Sequence, residues 1–237
     1  MKKFELTGNF KMCFGRKLFQ IRALINIKDA VEAGETGGYI EKEENLDQTG
    51  DAWVSGNALV YGNARVYGDA WVSGNAWVYG DARVSGNAWV YGDARVYGNA
   101  RVYGNARVYG NAWVYGDAWV SGNAWVSGNA WVYGDAWVYG DAWVSGNARV
   151  SGNALVSGNA DILQVTGLGT VHRTTTVYKT KDGIEIVCGC FRGGIEAFKA
   201  QVVNTRDGKV RDEYLKFAEL IEIYFGIKKK EEQEEDE

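Results

Sequence analysis

The chain has 237 residues, with 32 Gly, 14 Tyr, 10 Trp and no Pro. An aromatic share of 14% excludes a disordered glycine-rich chain, and the missing proline excludes a collagen-like one. A formal net charge of −4 gives no global attraction to nucleic acid or acidic lipid. No apolar run reaches the roughly 18 residues of a membrane span. The opening MKKFELTGNFK lacks the apolar stretch of a leader. Three cysteines, Cys13, Cys188 and Cys190, make no disulfide framework. Together these features predict a cytoplasmic protein with no membrane association.

Residues 1–49 carry Lys2, Lys3, Lys11, Arg16, Lys17 and Arg22, with one acidic residue before Asp29. Alternation over Lys17–Arg22 predicts a strand. Ile40 and Leu46 are six apart and read as a degenerate first rung, two residues out of register with Val54. The segment therefore reads as an N-terminal cap, which a solenoid needs to cover its open end.

Residues 50–163 form the repeat that decides the fold. Its unit is G-[N/D]-A-[W/R/L]-V-[Y/S]. Ala recurs every sixth position from Ala52 to Ala160, which makes 19 hexads. Ala and Val are two apart and point to one side of a short strand, while the residue between them points to the other. Tyr or Ser, then Gly, then Asn or Asp make a corner, and Gly and Asn accept positive φ at low cost. Each hexad is thus predicted to be a three-residue strand and a corner. A chain that turns every six residues with Ala and Val inward is a parallel β-solenoid. Proline is absent because each ladder strand needs its N–H.

Beyond the repeat, Thr174–Lys179 and Ile184–Phe191 read as a hairpin around Asp182-Gly183. A helical pattern follows near Ile195–Val203. A second has Tyr214, Ala218, Ile221 and Phe225 on one face. Residues 164–227 are therefore expected to form a small α+β module of ββαα order. The tail at 228–237 is a charge run and is expected to be disordered.

The unit resembles that of the hexapeptide-repeat family, in which an aliphatic residue is followed four positions later by a small one, as in Val54 and Ala58 or Val60 and Ala64. The resemblance implies a left-handed parallel β-helix with three hexads per coil. The 19 hexads then give about six coils, and at roughly 4.8 Å per coil a prism about 30 Å long. On that coil length, face one carries Trp53, Trp71, Trp89, Arg107, Trp125, Trp143 and Asp161. Face two carries Leu59, Trp77, Arg95, Trp113, Trp131 and Arg149. Face three carries Arg65, Arg83, Arg101, Trp119, Trp137 and Leu155. The corner after face two carries Tyr61, Tyr79, Tyr97, Tyr115 and Tyr133, then Ser151. All ten Trp are expected to point outward.

These rows are the candidate binding surface. Exposed indole is costly to leave in water, and Trp, Tyr and Arg dominate interfaces. Stacked like residues also stabilise a sheet without binding anything, by about 0.2–1 kcal/mol per pair. The stripe Arg65, Arg83 and Arg101 beside Trp119 and Trp137 has the character of a nucleic-acid groove. Asp at seven of the 19 Asn/Asp positions leaves the solenoid nearly neutral and weakens that reading.

Many proteins of the resembled fold are acyltransferases with a His base, and others are carbonic anhydrases with several His ligands. This chain has a single histidine, His172, outside the repeat, and the repeat has no inserted acceptor loop. The C-x-C spacing of Cys188 and Cys190 is a weak zinc signal. No catalytic residue, cofactor or metal site is predicted. Hexapeptide enzymes are often trimers, so a homo-oligomer is one expectation.

Nearly the whole chain also resembles a group of proteins carried by phages and prophages. The stretches FQIRALINI, VEAGETGGYIEKEENL and TKDGIEIVCGCFRGGIEAFKAQV carry that likeness. It implies a phage-linked origin, in the host cytoplasm or on the virion. The expected function is a non-enzymatic protein-binding solenoid, of which blocking a host defence system is one form. The alternatives are a virion-associated scaffold, an acyltransferase-like enzyme and a carbohydrate binder.

Overall fold

Each repeat strand is two residues long, one outward and one inward, and the corner residues take the rest of the hexad. In the computed structural model, which describes residues 2–227, eighteen such strands run from β4 (Trp53–Val54) to β21 (Leu155–Val156), one every six residues. They are shorter than the predicted three residues because Ala, the third, already belongs to the bend. Trp71 pairs in parallel with Trp89, and Trp113 with Trp131. The coil is therefore 18 residues and three hexads, as the faces require. The N–H groups of Trp77, Tyr79 and Asp81 donate to the carbonyls of Ala94, Val96 and Gly98 on the next coil at 2.9, 3.0 and 2.9 Å. A proline at any of these positions would delete a rung bond.

Every repeat Ala from Ala52 to Ala154 and every repeat Val from Val54 to Val156 is buried, and this column of small and branched side chains is the core. Each corner glycine from Gly50 to Gly152 has positive φ. At Gly98, φ is +68° and an added Cβ would lie 3.0 Å from the Gly116 nitrogen, so only glycine stacks there. Beside it the amides form their own ladder. Asn99 donates to Asp117 at 2.9 Å, and Asn111 to Asn129 at 3.1 Å.

The N-terminal segment contributes β1 (Phe4–Cys13), β2 (Arg16–Ala23) and β3 (Thr36–Ile40). β1 and β2 form an antiparallel hairpin, and β3 pairs with β2 on one side and with Leu59–Val60 on the other. Ile40 sits opposite Val60, and Leu46 bridges to Val66. A coil thus lies inside the segment read as a cap with a degenerate first rung, and the solenoid has about seven turns rather than six.

The first-coil carbonyls face this segment. Asn45 donates its side-chain amide to the carbonyls of Gly62 (3.1 Å) and Ala64 (2.8 Å). Lys3, 1% exposed, donates to the Ala52 carbonyl at 2.8 Å and the Gly50 carbonyl at 3.2 Å. Burial pulls its pKa down to about 8.

The chain divides into two compact units, Met1–Asn159 and Ala160–Glu237. Strands β22 (Ile162–Leu168), β23 (Arg173–Thr180), β24 (Gly183–Cys188) and β25 (Phe191–Gly193) make a four-stranded antiparallel sheet, followed by α1 (Ile195–Thr205) and α2 (Gly208–Phe225). The order is ββββαα, not ββαα. β22 was missed because its residues do not alternate between buried and exposed, and β25 because it is three residues long. Val177 and Ile186 of the sheet pack with Phe198, Phe217 and Ile221 of the helices. Asp161 is not a seventh rung. It lies in a single 3-10 turn, Asn159–Asp161, buried and paired with Lys179 at 2.6 Å. The charged tail at 228–237 lies outside the described residues.

Candidate functional site

The outward rows fall where the three-face arrangement puts them, but they are not equivalent. Face two is a continuous stack. The Arg95 guanidinium lies 5.0 Å from the Trp77 ring and 4.9 Å from Trp113. Trp113 stacks on Trp131 at 5.2 Å, and Arg149 covers Trp131 at 5.0 Å. Phe14, at the tip of the N-terminal hairpin, meets Trp77 edge-on. Along the adjoining corner, the rings of Tyr61, Tyr79, Tyr97, Tyr115 and Tyr133 stack at 4.8–5.0 Å and within 3° of parallel. Burial pushes the Tyr97 phenol up to about 12, and raises Tyr61, Tyr79 and Tyr115 as well.

Face one is open. Trp89, Trp125 and Trp143 are 48%, 36% and 51% exposed. Trp71 and Trp89 are 6.5 Å apart and tilted by 31°, and Trp125 meets Trp143 at 68°. Arg107 sits between Trp89 and Trp125, at 5.8 and 5.0 Å. Trp53 corrects the expectation that all ten indoles point to solvent. It is 1% exposed, because β3 lies directly on it. A Cβ at Gly37 would come within 2.8 Å of its ring, so glycine there lets the segment close over the first coil.

The corner residue sixteen positions earlier accounts for part of the difference between the rows; Trp71, after Ser55, is half-buried, and Trp125, braced by Tyr109, is 36% exposed. At four places that residue is a Tyr whose ring meets the Trp of the next coil edge-on: Tyr97 with Trp113, Tyr103 with Trp119, Tyr109 with Trp125 and Tyr115 with Trp131, all at 6.2–6.4 Å. Where it is Ser, no such brace exists. Ser73, Ser121 and Ser127 precede Trp89, Trp137 and Trp143, which are 48%, 44% and 51% exposed. Trp143 gains only a 3.4 Å bond from its indole N–H to the Ser127 hydroxyl.

Face three joins both kinds of row. Trp119 stacks on Trp137 at 5.0 Å, and Arg101 covers Trp119 at 4.7 Å. Arg65, Arg83 and Arg101 are exposed and directly opposite one another on neighbouring strands. Like charges in that register destabilise a sheet and favour an anionic neighbour.

In the second unit His172 is exposed, with Nδ1 3.2 Å from the Gly167 carbonyl. Cys188 accepts from the Thr175 hydroxyl at 3.1 Å, and Cys190 is exposed. Among the described residues no three His, Cys, Asp or Glu side chains gather in a metal-binding group. No helix among them is long and apolar enough to cross a membrane. The outward rows of the solenoid offer flat aromatic and cationic contact.

Comparison with known families agrees with the solenoid. Nine overlapping segments over residues 60–140 and a tenth at 148–160 match the YdcK beta solenoid repeat. The likeness is to the repeat and covers less than half of the chain. No curated protein matches the chain.

Proposed function

We propose that the chain is a non-enzymatic binding protein whose solenoid holds a protein partner against face one. The observation that carries this reading is the exposure of Trp89, Trp125 and Trp143 around Arg107. Open indoles beside a guanidinium are the residue types that anchor protein interfaces. Trp113 and Trp131 are poorer anchors than their row suggested, since Arg95, Arg149 and the tyrosine corner already cover them. The rigid ladder behind the face costs a partner little ordering entropy. The likeness to phage and prophage proteins supports a partner in the host cell, a defence protein among them.

The test is capture from the native host followed by affinity measurement with the identified partner. Replacing Trp89 and Trp143 together by Ala is expected to weaken binding about a hundredfold. Unchanged affinity sinks the reading.

A further inference from the structure

We propose that the C-terminal unit binds a small phosphoryl compound in a cleft between Arg173 and Arg206. Three connections converge there: Gly169–His172 between β22 and β23, the Gly189-Cys190 turn between β24 and β25, and Arg206-Asp207 between the helices. Loops gathered at one end of a rigid sheet are the usual place for a ligand. They enclose a cavity of about 180 Å³ lined by Arg173, Cys190, Phe191, Phe198, Arg206 and Tyr214. A second cavity of about 290 Å³ shares Arg173, Thr205, Arg206 and Tyr214. Both volumes lie below the roughly 300 Å³ at which drug-sized pockets begin, so the ligand is small.

The charge balance points to the ligand's chemistry. Among the described residues neither arginine forms an ion pair with a carboxylate. Among the described residues the Arg206 side chain donates only to the neighbouring Thr205 carbonyl, at 3.4 Å. Arg173 is exposed and its guanidinium lies against Gly189, where there is no side chain to displace it. Two planar guanidinium forks aimed at one space match the oxygens of a phosphoryl group. The Tyr214 hydroxyl borders the same space but already donates its proton to the Leu168 carbonyl, at 3.4 Å, so the two guanidinium groups are the donors the cleft offers. Asp207 lines the second cavity, which keeps the anion toward the first. There Phe191 and Phe198, 5.4 Å apart, give an apolar wall for the organic part of a monoester.

The experiment is an amide NMR titration of the full chain at constant ionic strength, with inorganic phosphate in one arm and phenyl phosphate in the other. The expected result is saturable shifts confined to residues 169–173, 188–191 and 205–207, with affinity falling about tenfold in Arg173→Gln and in Arg206→Gln. Tighter binding of phenyl phosphate assigns the site to a monoester, and equal binding assigns it to free phosphate. Shifts that drift linearly with both compounds, or wild-type affinity in both variants, overturn the proposal. If a variant fails to fold, alkylation of Cys190 in the wild-type chain decides. Phosphate must slow it, and an unchanged rate overturns the proposal. These residues belong to the second unit, so this result is independent of the face-one reading.

Discussion

Faces one and two of the solenoid are built from the same hexad, with Trp at the same strand position, and they behave differently. On face two every indole has a ring or a guanidinium about 5 Å away in the ladder, and a tyrosine edge beside it at Trp113 and Trp131. On face one the rings tilt, and Trp89 and Trp143 are about half exposed. The strands are the same in both, so the fold itself does not choose which tryptophans are open. Part of the choice lies at the corner, where Tyr braces Trp113 and Trp131 sixteen residues later and Ser offers no ring to Trp89 and Trp143. A regular repeat can thus carry an irregular surface without disturbing its core.

The comparison breaks most visibly at high pH. The buried or half-buried phenols of Tyr61, Tyr79, Tyr97 and Tyr115 have folded pKa values above the ordinary 10, with Tyr97 at about 12. A raised folded pKa contributes stability that is whole below pH 10 and is lost as pH rises through about 12. Melting of the solenoid is expected to fall steeply across that window, with tyrosinate absorbance appearing as it unfolds. Tyrosines that all titrate near 10 with the solenoid intact would contradict the buried ladder.

Single substitutions sharpen it further. Trp113→Ala removes a ring packed on both faces and one edge, and is expected to cost about 2 kcal/mol in denaturant unfolding. Trp143→Ala is expected to cost less than half of that. Equal losses would mean the two faces are braced alike. Ser73→Tyr supplies the missing edge contact at Trp89 and is expected to add about 1 kcal/mol while weakening partner binding. The smallest effect is expected at the corner amides. Asn99→Ala loses one exposed side-chain bond to Asp117 and about 0.5 kcal/mol, read in the same unfolding assay.

Much of this was legible in the residues. The six-residue period gives the strand and corner, and the 18-residue coil then fixes which side chains stack. Ile40 and Leu46 were visible as a displaced rung because only their spacing, not their chemistry, departs from the repeat. The burial of Trp53 was not legible, since its hexad is ordinary and the covering strand belongs to a segment without the period. β22 was hidden for a related reason. Five of its seven residues are half-buried and the other two, Thr166 and Gly167, are exposed side by side, so no alternation marks them. The arginine cleft was hidden too, because Arg173 and Arg206 are 33 residues apart and meet only through folding. The tyrosine brace was present in the sequence, as the residue sixteen before each Trp, but its meaning depends on ring geometry that only the structure supplies.

The most direct test of the central claim is the partner's affinity for two double variants of equal chemistry. Trp89 and Trp143 are changed to Ala in one chain, and Trp113 and Trp131 in the other. Binding is predicted to collapse in the first while its fold stability stays near wild type, and to persist in the second while its fold weakens. The reverse order, or an equal loss of binding in both, would contradict the assignment of face one as the docking surface.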